Sequence, residues 1–177
     1  MQKVRIAMKS SEKYPMKGKV TVDEFVFGGK EDLKQGRSND SKKKKIAIAV
    51  EQDENGGVKR VYFKKISNYS SEELTKIFES HISDSAEIKT DQWTGYKPLK
   101  KKYSITQIKS NTTDFFALNT IVHQVKAWLR SVYSYMNEAH IEKYLDEFSF
   151  RINRSIHKQT IFHTILNRLM KSEHIGY

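Results

Sequence analysis

The sequence predicts an α/β domain of five strands, with one helix between the third and fourth strands and a helical C-terminal part. Three observations lead to this prediction. Runs of β-branched and aromatic residues alternate with turn signals up to residue 108. Ser70, followed three residues later by Glu73, has the form of a capping box and opens a helix within this region. From residue 115 onward, apolar residues recur at helical spacing.

The predicted strands follow one another with short connections. Gly18 precedes the first strand and a Gly-Gly pair follows it, while a hairpin turn at residues 53–57 joins the second strand to the third. The second and third strands are therefore expected to be antiparallel neighbours, with the first beside them. The predicted strands are residues 19–27, 46–50, 58–66, 86–90 and 103–108.

The remaining segments complete the predicted domain organisation. Residues 1–17 are basic and polar and are expected to form an N-terminal lead-in to one domain at residues 18–177. Residues 28–41 and 110–114 are predicted loops. The three C-terminal helices are predicted at residues 115–133, from 137 or 138 to 154, and at 160–171.

Composition restricts the classes of function. The chain has 177 residues, enough for one domain with a real core, and a net charge of +11. Such an excess favours a polyanionic partner, with nucleic acid ahead of a membrane surface, although a basic surface without a partner remains an alternative. The absence of cysteine excludes disulfides, a thiol nucleophile and a cysteine-containing zinc site. No apolar run approaches the roughly 20 residues that span a bilayer, so we expect an intracellular protein without a membrane partner.

An acid pair, Asp23-Glu24, lies in the middle of the first predicted strand. A carboxylate inside an apolar strand is costly unless it has a partner. Because successive side chains point to opposite faces of a strand, the two acids are expected to play different parts. We predict that Asp23 binds a divalent metal ion.

A second acid, Asp91, directly follows the fourth predicted strand. The carboxyl end of a strand is where α/β folds place ligands, which makes Asp91 a second candidate metal ligand. Capping of a turn by Asp91 remains an alternative. The nearby aromatic residues Trp93 and Tyr96 can either stack on an unpaired base or pack in the core.

Two polar residues on the first long C-terminal helix, Asn119 and Lys126, are seven residues apart. Seven residues is nearly two turns, so both side chains project from one face, with His123 between them. Two aspartates and this amide oxygen can converge on a metal ion, and the lysine can hold a phosphate beside it. The alternatives are a cap or surface residue at Asn119, a packed histidine, and a solvated lysine.

Four blocks of sequence occur in a specific order. They are VTVDEFVFGGK at residues 20–30, TDQWTGY at 90–96, NTIVHQVK at 119–126 and YLDEFSFRINR at 144–154. In this order they resemble the catalytic domain of DDE-type bacterial insertion-sequence transposases, from about Ser10 to about Lys171. Any one block alone would be a weak signal.

The resemblance implies a ribonuclease-H-like fold, in which a mixed five-stranded sheet begins with a three-stranded hairpin ladder and is flanked by helices. It implies Mg²⁺ or Mn²⁺ as cofactor, and cleavage and transfer of DNA strands at insertion-sequence ends. Asp23 is then the first metal-binding acid and Asp91 the second. Asn119 stands at the third ligand position, which varies among Glu, His and Asn in this group. Lys126 matches the lysine that the family carries seven residues after this third ligand position.

Two departures from the family pattern have physical consequences. Asn119 offers a neutral carbonyl oxygen, so the metal is held with one charge fewer. Relatives usually carry an N-terminal zinc ribbon and helix-turn-helix, whereas this sequence starts just before the catalytic domain and has no cysteine. The alternative function is therefore a catalytically impaired or domesticated DNA-binding remnant that lacks the end-recognition domain.

Basic residues are expected to contact the DNA backbone without reading bases. The expected partners are transposon ends, target DNA and further copies of the chain assembled on DNA, and the expected location is the bacterial cytoplasm at the nucleoid. For the four consecutive lysines at residues 42–45, a solvated strand end without DNA contacts remains an alternative. The predicted nucleic-acid-binding residues are Lys42, Lys43, Lys44, Lys45, Lys126, Arg151 and Arg154.

Overall fold

A five-stranded mixed sheet forms the centre of the molecule in a computed structural model, which describes residues 2–28, 44–132 and 138–171. The strand order is β3-β2-β1-β4-β5. Strand β2 pairs antiparallel with β1 and β3, whereas β1–β4 and β4–β5 are parallel, so β2 alone runs against the other four. The strands are β1 (Lys19–Phe27), β2 (Lys44–Gln52), β3 (Val58–Ile66), β4 (Glu87–Thr90) and β5 (Ser104–Gln107).

The described residues form five α-helices around or beside this sheet. The predicted Ser70 cap is confirmed, because its side chain accepts a hydrogen bond from the Glu73 backbone N–H at the start of the second helix. The reciprocal half of a capping box differs from the prediction, since the Glu73 carboxylate accepts from the Ser67 N–H and the Ser70 N–H donates to Asn68. The three predicted C-terminal helices are also present. The helices are α1 (Gln2–Met8), α2 (Ser71–His81), α3 (Phe116–Val132), α4 (Ile141–Asn153) and α5 (Ile161–Lys171).

Apolar side chains cover both faces of the sheet. On one face Val20 and Val22 of β1 pack with the buried stripe of α2. On the other face Phe25 packs with α3 and α4. Alternation along a strand produces this division, because residues of even and odd number point to opposite faces. The predicted α/β class, with a ribonuclease-H-like mixed sheet flanked by helices, is confirmed.

The N-terminal lead-in contains a helix that the sequence analysis did not predict. Helix α1 packs against α4 and α5, where Arg5 Nε lies 2.8 Å from Glu147 Oε2. Arg168 of α5 donates to the carbonyl oxygens of Ala7 and Lys9, each at 3.0 Å. Seven residues give too little hydrophobic periodicity to predict a helix, so these tertiary contacts account for it.

Some predictions fall on residues outside the described ranges. They include Lys42 and Lys43 of the lysine run, most of the predicted loop at 28–41, and the ends of two helix predictions at 133 and 137. None of the described helices combines the length and the hydropathy that crossing a bilayer requires.

A buried ion pair fixes the start of β1. The Glu51 carboxylate of β2 is 1% exposed and accepts hydrogen bonds from Arg60 Nε at 2.6 Å and from the backbone N–H groups of Lys17 and Gly18. Burial alone would raise the pKa of Glu51, but the Arg60 guanidinium and the two N–H groups together bring it below its ordinary value. Arg60 also donates to the carbonyl oxygens of Tyr14 and Pro15, which ties the lead-in to β3.

We predict that Arg60→Ala lowers the free energy of unfolding by about 3 kcal/mol, because it leaves the Glu51 carboxylate buried without its cation. Lys59→Ala is the matched control, since Lys59 Nζ is exposed and lies 4.0 Å from Glu51. It should change stability by less than about 0.5 kcal/mol. Urea unfolding at pH 7 measures the free energy of unfolding of both variants. Equal decreases would contradict the role of Arg60 as the partner of the buried Glu51 carboxylate.

The same pair predicts a pH dependence. A lowered folded-state pKa contributes stability above the ordinary glutamate value of 4.5, and that stability is lost as the pH falls through the lowered value. The difference in the free energy of unfolding between wild type and Arg60→Ala should therefore be smaller in acid than at pH 7. Urea unfolding of both proteins over a series of decreasing pH values measures this change.

Candidate metal centre

The register of two parallel strands brings Asp23 and Asp91 together. Strands β1 and β4 pair with Val22 opposite Thr90, and the next residue along each chain is an aspartate. Asp23 lies within β1, whereas Asp91 follows the last residue of β4. Residues opposite each other in neighbouring strands point to the same face, so the register directs both carboxylates to one place.

Three carboxylates, not two, meet at this place. One oxygen each from Asp23, Glu24 and Asp91 lies within 4.8 Å of the others, and all three side chains are half-buried. In an octahedral Mg²⁺ site, metal–oxygen distances of about 2.1 Å place the ligand oxygens roughly 3–4 Å apart. The spacing of these oxygens and their hard, anionic character therefore fit a divalent cation.

Hydrogen bonds hold the two aspartates in place. Asp91 Oδ1 accepts from the backbone N–H of Trp93 at 3.0 Å, and the Asp91 carbonyl accepts from Gln107 Nε2 at 3.1 Å. Asp23 Oδ1 accepts from the Glu24 backbone N–H at 2.8 Å. Asp91 therefore caps a turn, as the alternative interpretation proposed, and still belongs to the acidic cluster.

The aromatic residues after Asp91 belong to the wall of this site. Tyr96 is fully buried, which is incompatible with stacking on a base. Burial raises the pKa of its phenol well above 10, and the carboxylates of Glu24, Asp23 and Asp91 raise it further, so the hydroxyl stays protonated at neutral pH. Trp93 packs against the core and its indole N–H donates to the Tyr69 carbonyl at 2.9 Å.

Helix α3 presents Lys126 and Asn119 on the side of the sheet that bears Asp23. Lys126 Nζ lies 5.2 Å from the centroid of the Phe25 ring, and Phe25 is two residues beyond Asp23 on the same face of β1. Burial, followed by the charge of Arg130, lowers the pKa of Lys126. Asn119 is exposed on the same face of α3. Its role as a ligand stays a prediction.

The other predicted DNA-binding residues are dispersed. Lys45 is buried, with Nζ 6.0 Å from the centroid of the Tyr69 ring, and Lys44 is half-buried. Arg151 pairs with Glu147 at 2.8 Å, and the Arg154 guanidinium lies 4.1 Å from the centroid of the Phe150 ring. Both arginines are at the end of α4, which packs on the edge strand β3, two strands away from β1. The structure therefore does not bring them to the acidic cluster.

Glu24 belongs to the acidic cluster although the sequence pattern did not predict it there. Alternation along β1 directs its side chain to the face opposite Asp23, and that argument led us to separate the two acids. The observed proximity shows that the longer glutamate side chain reaches back to its neighbour at the edge where β4 ends. The only sequence signal was the adjacency of the two acids.

Residues 15–153 match a family model described as the ISXO2-like transposase domain. The chain belongs to this transposase family. The matched segment contains all five strands and helices α2 to α4, and therefore both aspartates, Asn119 and Lys126. The family predicted from the four sequence blocks is confirmed. A comparison with curated proteins gave no match.

We predict that Gly95→Ala destabilises the wall of the acidic cluster in this transposase domain. A Cβ at residue 95 would lie 2.6 Å from Trp93 Nε1 and 2.8 Å from the Tyr69 carbonyl oxygen, so it would separate the two partners of a hydrogen bond. The free energy of unfolding should fall by about 1–3 kcal/mol. Chemical denaturation followed by tryptophan fluorescence measures the change.

Thr94→Ala is the control for this substitution, because Thr94 is exposed in the same turn. It should change stability by no more than about 0.5 kcal/mol. Equal unfolding midpoints for the two variants would show that the close approach at Gly95 has no structural importance.

Proposed function

We propose that this transposase domain cleaves DNA strands at insertion-sequence ends and transfers them to target DNA in a metal-dependent reaction. The observation that carries the proposal is the convergence of the Asp23 carboxylate, from within β1, and the Asp91 carboxylate, directly after β4. Paired acids from different elements are the arrangement that metal-dependent phosphoryl transfer requires.

Asp23, Asp91 and Asn119 would hold Mg²⁺ or Mn²⁺. The bound metal would lower the pKa of an attacking water or 3′-hydroxyl and stabilise the leaving oxygen. The chain itself would position the DNA. Lys126, on the Asp23 side of the sheet, would hold a phosphate oxygen, and its lowered pKa reflects a site partly removed from water.

The surface beside Asp91 suits a nucleic-acid backbone. Asp91 opens into a cleft of about 460 Å³, which Lys109, Ser110 and Asn111 also line. An ammonium group and neutral hydrogen-bonding side chains next to an acid are suitable for a phosphodiester that approaches the acidic cluster. With a net charge of +11, the chain would bind DNA with an affinity that falls steeply as salt is added. The expected assembly is a homo-oligomer on DNA at the bacterial nucleoid.

A second candidate function is DNA binding without catalysis. The neutral amide at Asn119 favours it, because this ligand position then adds no charge to hold a cation. Titration of Mg²⁺ and Mn²⁺ into a cleavage assay separates the two functions. A remnant would bind DNA and produce no nicks at any metal concentration.

We predict that Asp23→Asn and Asp91→Asn each reduce cleavage at least about a hundredfold, since each removes one of two converging ligands. The substrate is a supercoiled plasmid that carries the gene with its flanking DNA, and both nicked and joined products are counted. Glu87→Gln, an exposed carboxylate at the other end of β4, is the control and should cleave normally. Normal cleavage by either aspartate variant would overturn the proposed site.

We also predict that Asn119→Glu lowers the Mg²⁺ concentration that gives half-maximal cleavage by several-fold, because a carboxylate replaces a neutral oxygen donor. A Mg²⁺ titration of the two proteins side by side makes the comparison. If the two titration curves coincide, Asn119 is not a metal ligand.

A further inference from the structure

Glu24 extends the acidic cluster beyond the residues to which the transposase reaction has been assigned above. Its carboxylate lies within the same 4.8 Å as those of Asp23 and Asp91, although its backbone position directs it to the other face of β1. We propose that Glu24 is a third carboxylate ligand of the divalent cation, supplying the negative charge that position 119 lacks. This inference rests on the proposed function and deepens it.

The charge of the site supports this assignment. Asp23 and Asp91 with a neutral Asn119 provide two negative charges, and Glu24 raises the total to three. Three carboxylates within 4.8 Å repel one another, since like charges at this separation disfavour full ionisation. A divalent cation between them would reduce this repulsion.

Tyr96 lies on the core side of the cluster and gives independent support for Glu24 as a ligand. Its hydroxyl is fully enclosed and, within the described part of the chain, makes no hydrogen bond of standard geometry. The charges of Glu24, Asp23 and Asp91 all act on this phenol, so the hydroxyl borders the cluster. A protonated phenol can donate one hydrogen bond to the glutamate and does not neutralise it. A carboxylate has about four lone-pair positions, so accepting this hydrogen bond does not prevent it from binding a cation.

The geometry of β1 explains how neighbouring residues can share one ion. The Glu24 backbone N–H donates to Asp23 Oδ1 at 2.8 Å, which orients the aspartate along the strand. The glutamate has one more methylene than the aspartate and approaches the cluster from the face packed on α2. Asp91 approaches from the end of β4. Carboxylate oxygens from β1 and from the end of β4 thus reach one place, where a divalent cation could take all three as ligands.

Mn²⁺ binding to the full chain without DNA tests this inference. Isothermal titration calorimetry at pH 7 compares wild type with Glu24→Gln, Asp91→Asn and the control Glu87→Gln. We expect Glu24→Gln to weaken Mn²⁺ binding at least about tenfold, as loss of a ligand should. Glu87→Gln should bind as wild type does.

Thermal unfolding supplies a readout that a purely structural role would not produce. Without metal, Glu24→Gln should be at least as stable as wild type, because one of three repelling charges is gone. With Mn²⁺, it should gain less in Tm than wild type, because stabilisation by a ligand follows its affinity. A structural glutamate would give a variant that is less stable without metal and gains as much from Mn²⁺ as wild type, and that result would overturn the inference.

Two outcomes separate this inference from the proposed function. If Asp91→Asn loses Mn²⁺ binding while Glu24→Gln binds like Glu87→Gln, Glu24 is not a ligand and the aspartate site stands. If Asp91→Asn and Glu24→Gln both bind normally, the metal site itself is wrong. Should Glu24→Gln fail to fold, Glu24→Asp decides the question, because it keeps the charge and shortens the reach. Weaker binding by Glu24→Asp supports a ligand, and unchanged binding overturns it.

Discussion

The pairing of β1 with β4 is the constraint on which the site depends. With Val22 opposite Thr90, the aspartates that follow come side by side, and a slip of one residue would send one of them to the other face. The apolar cores on both sides of the sheet oppose such a slip, because it would drive Val20 and Val22 out of the core packed on α2 and into the one packed on α3. The hydrophobic pattern of β1 therefore sets the position of its acids, and the proposed metal site relies on the same alternation that buries its valines.

Most of the fold could be predicted from local sequence because local signals and tertiary contacts agree. The third strand was predicted with its observed limits, since a hairpin turn precedes it and β-branched and aromatic residues fill it. The Ser70 cap and the apolar stripe of α2 were visible for the same reason. Helix α1 was not, because Arg5 and Arg168 hold it through partners more than 140 positions away in the chain. No window of neighbouring residues contains that information.

The candidate site, like the fold, could be predicted in part from the sequence. The order of the blocks gave Asp23 and Asp91, and the structure brings them together. The approach of Glu24 could not be predicted from alternation, which describes the direction of a Cβ and not the reach of a side chain. Base stacking and core packing were both open for Tyr96, and its full burial shows that it packs in the core. For Arg151 and Arg154, DNA binding stays a prediction, and the position of α4 on the edge strand β3 separates both residues from the acidic cluster.

The packing of α1 against α4 and α5 affects where this domain can be truncated. The family match begins at residue 15 and ends at 153, whereas the Arg5–Glu147 pair and the Arg168 hydrogen bonds cross those limits. A fragment trimmed to the matched segment would keep Glu147 but lose Arg5, and would bare the surface of α4 that α1 covers. The segment that matches the family and the set of elements that pack together in this protein therefore differ in extent, and biophysical work on the isolated domain should retain both flanking helices.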